Sequence, residues 1–129
     1  MENYRTPLSR ARGLGASGHG AGHWLAERIS AVALVPLVLW AIAGVLHLAA
    51  TDFGGATAWV GQPLNAVLLV LLVAVAFWHM HSGMRVIIED YIHKTSTKMV
   101  LLITNLFVAV LVGSLAIFSI LKVALEGTV

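Results

Sequence analysis

The chain contains no cysteine, so it contributes no disulfide, thiolate metal site, iron–sulfur cluster or covalently attached c-type haem. Any redox centre held here needs histidine. Charge is scarce too: 11% of the 129 residues are Asp, Glu, Lys or Arg, against 59% hydrophobic, and the mean hydropathy is +0.90. An ordinary soluble domain carries roughly twice that share of charge. What fills the chain instead is three long apolar runs, at about 29–50, 64–88 and 99–123. Each is close to the ~20 residues that cross ~30 Å of hydrocarbon. The expected fold is an all-α membrane protein with three transmembrane helices and no soluble catalytic domain. Its surroundings are lipid, and no nucleic-acid partner is expected.

The few basic residues set the orientation. Arg5, Arg10, Arg12 and Arg28 precede the first run, and Arg85, Lys94 and Lys98 surround the connection between the second and third. The connection between the first and second, 51–63, holds Asp52 but no lysine or arginine. The positive-inside rule then puts the N-terminus and the second connection on the cytoplasmic side, or the matrix side in an organelle. Lys122 runs against this pattern and is offset by Glu126. The first run is too long for a signal-peptide core and two more follow it, so it reads as a retained anchor.

Residues 1–22 are rich in Gly, Ser, Arg and His and short of apolar side chains, so they are expected to be a flexible cytoplasmic segment, or one ordered on a soluble partner. Residues 23–129 form the three-helix membrane domain. Trp24 and Trp59 suit the two interfaces, Pro36 falls within the first span, and Gly54, Gly55, Gly61 and Pro63 predict turns in the outer connection. In the third span Asn105, Gly113, Ser114 and Ser119 read as helix-packing residues.

An ionisable side chain at membrane depth is costly and points to a site or to a buried partner. His79 is such a group. Imidazole can ligate haem iron, and Gly83 one turn on would let a flat macrocycle approach the backbone. The other reading is a histidine hydrogen-bonded to a neighbouring helix. No histidine in the chain is well placed as a second axial ligand. His47 lies near the outer end of the first span, whereas His79 is ~16 Å from the inner exit, at 1.5 Å per residue. His81 is turned ~200° from His79, and His19, His23 and His93 belong to inner segments. A haem with two histidine ligands would be shared with another chain.

Asp90 and Tyr91 fall where the second span leaves the membrane. A phenol donates well to a quinone carbonyl, and a carboxylate beside it can orient water or relay a proton. Both are also common, merely solvated, at helix exits. Arg28, Arg85 and Glu89 are expected at the same level; the arginines can hold carboxylates or snorkel to headgroups.

The string His79-Met80-His81-Ser82-Gly83, continuing through Arg85 to Asp90-Tyr91, resembles the H-x3-G-x6-D-Y pattern of the small hydrophobic membrane anchors of succinate dehydrogenases, the small cytochrome b chains of respiratory complex II. The layout agrees across the chain: a short basic N-terminus, three spans, and the motif late in the second. Arg5-Thr6-Pro7-Leu8-Ser9-Arg10, Gly13-Leu14-Gly15 and the stretch from His23-Trp24 to Arg28 are similar to bacterial, especially alphaproteobacterial, members. The resemblance implies a multi-pass protein of the bacterial inner membrane that packs with a second, companion anchor of the same complex into a helical bundle. It implies His79 as an axial ligand of a shared b-type haem, with His81 the nearby alternative. It implies Tyr91 as donor to ubiquinone, the substrate, with Asp90 in the proton network and Arg28 near the haem propionates and quinone pocket. The other implied partners are the flavoprotein and iron–sulfur subunits, and the chain alone would catalyse nothing. The alternatives are the companion anchor itself, a fumarate reductase anchor, or a small proton-relay transporter component. The companion anchors carry an Arg-Pro-Leu-Ser-Pro-His type of N-terminus; here Thr6-Pro7-Leu8-Ser9 continues into Arg10 instead.

Overall fold

The computed structural model describes residues 6–11, 13 and 20–126. These contain helices α1 (Pro7–Ala11), α2 (Gly20–Leu48), α3 (Phe53–Gly61), α4 (Pro63–Tyr91) and α5 (Thr95–Glu126). Three of them are long and apolar enough to cross a membrane: Ala21–Leu48, Pro63–Tyr91 and Thr95–Glu126. At 1.5 Å per residue each is more than about 40 Å long, roughly the bilayer with its headgroup regions. This explains why the helices outrun the apolar runs. α2 begins well before Ile29 and passes unbroken through Pro36, a proline that neighbouring helices make tolerable in a membrane. Of the expected flexible segment 1–22, residues 7–11 form a short helix and 20–22 open α2; most of the rest lies outside the described residues.

α4 is the middle of a row. It packs on α2 along one side and on α5 along the other, while α2 and α5 do not pack extensively on each other. The seams are made of small and polar residues: Ser30 and Gly44 on α2, Asn65, Ala66 and Ser82 on α4, Ala109 and Gly113 on α5 are all buried. Large apolar side chains such as Val32, Leu39, Phe107 and Leu111 point outward. Lipid is as apolar as leucine, so membrane helices associate by close approach and hydrogen bonding rather than by hiding leucines. At Gly113 a β-carbon would stand 3.3 Å from the Phe77 ring, so glycine is what lets α5 close on α4.

The outer connection holds α3, where the sequence predicts only turns. Asp52 caps it, its Oδ1 accepting from the Gly55 amide at 2.7 Å. Gln62 ends α3 and precedes Pro63, the first residue of α4. Buried Asn65 then ties the two helices, its Nδ2 donating to the Trp59 carbonyl at 2.9 Å and to Gln62 Oε1 at 3.2 Å. Trp59 lies stacked on Trp40, with centroids 5.5 Å apart, and a β-carbon at Gly44 would meet its ring at 3.0 Å. Gly44 is therefore where the Trp59 ring of α3 seats on α2, while α3 itself packs on α4 and α5. A Gly44→Val substitution is expected to cost about 1–3 kcal/mol by overpacking and to lift α3 away. Limited proteolysis of proteoliposomes should then cut between Ala50 and Pro63, where the parent protein resists.

Candidate functional site

α2 and α4 run in opposite directions, so residues at equal depth face one another across their seam. Ser30 lies in the first half of α2 and His79 in the second half of α4. They meet: Ser30 Oγ is 3.0 Å from His79 Nδ1. The same oxygen is 2.9 Å from the Glu27 carbonyl, one turn back on α2. When the hydroxyl proton is donated to that carbonyl, which only accepts, the serine oxygen faces Nδ1 with a lone pair. In that arrangement Nδ1 carries the imidazole proton, and Nε2 is left as a lone pair with no partner among the described residues. His79 is half-buried.

His81 has the opposite arrangement on the opposite side of the helix. Asn105 Nδ2 of α5 donates to the His81 carbonyl at 3.0 Å and is also 3.0 Å from His81 Nδ1. The amide nitrogen is assigned by the carbonyl it faces, and its second proton makes Nδ1 an acceptor. The His81 proton then sits on Nε2. Asn105, read from sequence as a packing residue, packs by fixing this ring. The two imidazoles are thus held on different sides of α4 in different tautomers, and only His79 offers Nε2 as a ready ligand atom.

Between His79 and the inner exit, Gly83 has open space where a side chain would stand, with nothing within 4 Å of a β-carbon placed there. It differs in this from Gly44 and Gly113, whose missing side chains are filled by neighbouring rings. The flat macrocycle of a b-type haem would fit this combination, an unpartnered Nε2 with unfilled space one turn away. Among the described residues no three His, Asp or Glu side chains cluster as a metal site.

At the inner end Tyr91 is the last residue of α4 and 75% exposed, and its hydroxyl makes no bond within the described residues. Its position is set by how α4 stops: Ile92 turns to extended geometry, and Lys98 Nζ donates to the Glu89 carbonyl at 2.8 Å. Tyr91 borders a cavity of about 450 Å³ between α4 and α5, lined by Met84, Ile88, Leu101 and Asn105 among others. Asp90 is exposed and has no ionic partner among the described residues. Glu89 is paired with Arg85, its Oε1 accepting from Nε at 2.7 Å. Arg28 lies with its guanidinium carbon 5.6 Å from the centroid of the Trp24 ring, a cation–π contact that leaves its N–H edges to donate elsewhere. No hydrogen bond or ion pair joins Arg28, Asp90 and Tyr91 to one another among the described residues. His47 is exposed at the outer end of α2, and His93 is exposed between α4 and α5; His19 lies outside the described residues.

Sequence reasoning missed Ser30. Its signal was positional: a polar residue at the depth of His79 in the antiparallel neighbour.

Comparison with known proteins is consistent along the whole chain. Residues 2–119 match the family described as the succinate dehydrogenase/fumarate reductase transmembrane subunit. A succinate dehydrogenase hydrophobic membrane anchor subunit from Paracoccus denitrificans is 29% identical over 129 residues, covering 98% of this chain and 97% of the relative. Subunits of the same name from Rickettsia bellii and Rickettsia conorii are 31% and 29% identical over 78% of this chain, and 81% and 82% of theirs. No solved structure matches.

Proposed function

The chain belongs to the family of succinate dehydrogenase/fumarate reductase transmembrane subunits, and from that premise we propose that it is the hydrophobic anchor that holds a succinate dehydrogenase on the bacterial inner membrane and gives one ligand to a shared haem. The observation that carries the haem reading is the unpartnered Nε2 of His79, fixed by the bond from Nδ1 to Ser30. A b-type haem, when bound, takes up and releases single electrons at its iron. In this reading His79 would hold the haem together with a residue of the companion anchor, because no other histidine among the described residues reaches the level and side of His79. The flavoprotein and iron–sulfur subunits dock on the cytoplasmic side and supply the electrons.

The chain's own part in quinone reduction lies at the end of α4. Tyr91 donates its phenolic proton to a ubiquinone carbonyl, orienting the ring and stabilising the negative charge that builds on that oxygen. Asp90, unpaired, holds water beside it and passes on the protons that reduction consumes. Arg28 presents its free N–H edges to carboxylates of the haem at the inner surface.

Affinity purification from the native membrane in mild detergent tests the assembly. The expected result is recovery of a flavoprotein, an iron–sulfur protein and a second anchor, with a b-type absorption spectrum. Recovery of the chain alone, or only with copies of itself, would overturn the reading. A Gly83→Leu substitution tests the haem side: among the described residues nothing lies within 4 Å of a β-carbon placed there, so the complex should assemble while haem per flavin falls severalfold. Unchanged haem content would show that the space beside Gly83 is not the haem's.

A further inference from the structure

We propose that Ser30 is a positioning residue for His79, and that the relay from imidazole to hydroxyl to the Glu27 carbonyl sets both the affinity of the haem and its reduction potential. The proposal rests on the reading of His79 as an iron ligand and adds what makes it one. A neutral imidazole has two tautomers of similar energy, and only one exposes Nε2 as a lone pair. The ring also rotates unless something holds its other nitrogen. Ser30 does both.

Three observations carry this. First, with the hydroxyl proton donated to the Glu27 carbonyl at 2.9 Å, the 3.0 Å contact to Nδ1 is one in which the imidazole donates. Second, Ser30 is 6% exposed, so water does not compete for the hydroxyl. Third, His81 shows the outcome when the partner is a donor. Asn105 gives its proton to Nδ1 of that ring, and the ligand lone pair at Nε2 is lost. Two histidines two residues apart on one helix are sorted by their neighbours, a serine whose proton is already spent and an amide whose proton is not.

The consequence for the iron follows from donor strength. An imidazole that gives its N–H to an acceptor is a more basic ligand, because negative charge is pushed toward the metal-facing nitrogen. The bond from Ser30 to Glu27 orients the serine lone pair toward His79. A more basic ligand favours ferric over ferrous iron and lowers the potential. Losing the hydroxyl should raise the potential and loosen the haem, by about the 10- to 100-fold in affinity typical of removing such a support.

The experiment uses the whole complex in detergent, with Ser30→Thr and Ser30→Val compared side by side. The two side chains have nearly the same shape, and only threonine keeps a hydroxyl able to bond both Glu27 and His79. Haem per flavin after prolonged dialysis, the haem midpoint potential, and the low-spin ferric electron paramagnetic resonance signal are measured for each. The expected result is a parent-like signal and potential for Ser30→Thr. Ser30→Val should show a raised potential, a shifted low-field resonance and faster haem loss. Should the valine complex not assemble, Ser30→Ala is predicted to give the same shifts. Valine and threonine complexes that behave alike, or a hydroxyl-free complex with parent-like haem properties, would overturn the proposal. His79→Ala separates the two levels: if it leaves the haem unchanged, the ligand reading itself fails. If it removes the haem while the Ser30→Val haem stays parent-like, only the role of Ser30 fails.

Discussion

A His79→Ala complex is expected to lose its b-type haem altogether, seen as disappearance of the reduced-minus-oxidised absorption bands at unchanged flavin content. The effect is large because no histidine among the described residues is placed to substitute. His81 is only two residues away, but it is turned to the α5 side, held there by Asn105, and carries its proton on the nitrogen that would have to ligate. His47 sits at the outer end of α2, and His93 follows α4 in the inner connection. The structural cost of the substitution is small by comparison. It removes one hydrogen bond across the α2–α4 seam, and such bonds average about 0.6 kcal/mol inside a membrane. Ser30 keeps its bond to the Glu27 carbonyl, so its proton is not orphaned. The complex should therefore assemble, and co-purification of the flavoprotein reads that directly. An unchanged spectrum would move the ligand off this residue. If His81→Ala in place of His79→Ala abolished the spectrum, His81 would be the ligand.

The three spans were legible because a membrane demands the same thing of each, about twenty apolar residues without a charge, and this chain has three such runs and little else. Their ends were not legible, because hydropathy marks where hydrocarbon stops and a helix stops only where its hydrogen bonds do. α2 thus begins at Gly20 and α4 continues through the charged turn to Tyr91. α3 was hidden by its composition: Gly54, Gly55 and Gly61 signal turns, and what makes them helical is the Asp52 cap and the docking of Trp59 over Gly44. The ~200° between His79 and His81 could be computed from the helical repeat, and the structure puts the two rings on the α2 and α5 sides accordingly. Which ring exposes a ligand atom could not be computed that way. That depends on Ser30 and Asn105, which are distant in sequence and ordinary in type. Hydrogen bonding to a neighbouring helix and haem ligation looked like rival readings of His79. The structure makes them compatible, since the bond occupies one nitrogen and leaves the other.

Tyr91→Phe should give a fully assembled, haem-containing complex whose ubiquinone reduction is slower by about 10²- to 10³-fold, the usual effect of removing one donor from an oxygen on which charge develops. The substitution is unusually clean. The ring is 75% exposed and its hydroxyl bonds nothing in the described residues, so the folded chain loses no interaction, and phenylalanine keeps the ring beside the 450 Å³ cavity. Succinate oxidation followed with a water-soluble dye that bypasses the quinone serves as the internal reference. The ratio of the quinone rate to the dye rate is then the quantity that should fall. A fall in kcat with little change in KM would mean that the phenol acts mainly on the developing charge, whereas a raised KM alone would mean that it only holds the quinone. The adjacent carboxylates sharpen the test. Asp90 has no ionic partner among the described residues, while Glu89 is held by Arg85 at 2.7 Å. Asp90→Asn should slow quinone reduction more than Glu89→Gln does, because only an unpaired carboxylate is free to take and pass a proton. Equal small effects at both positions, with Tyr91→Phe at the parent rate, would place quinone reduction away from the end of α4.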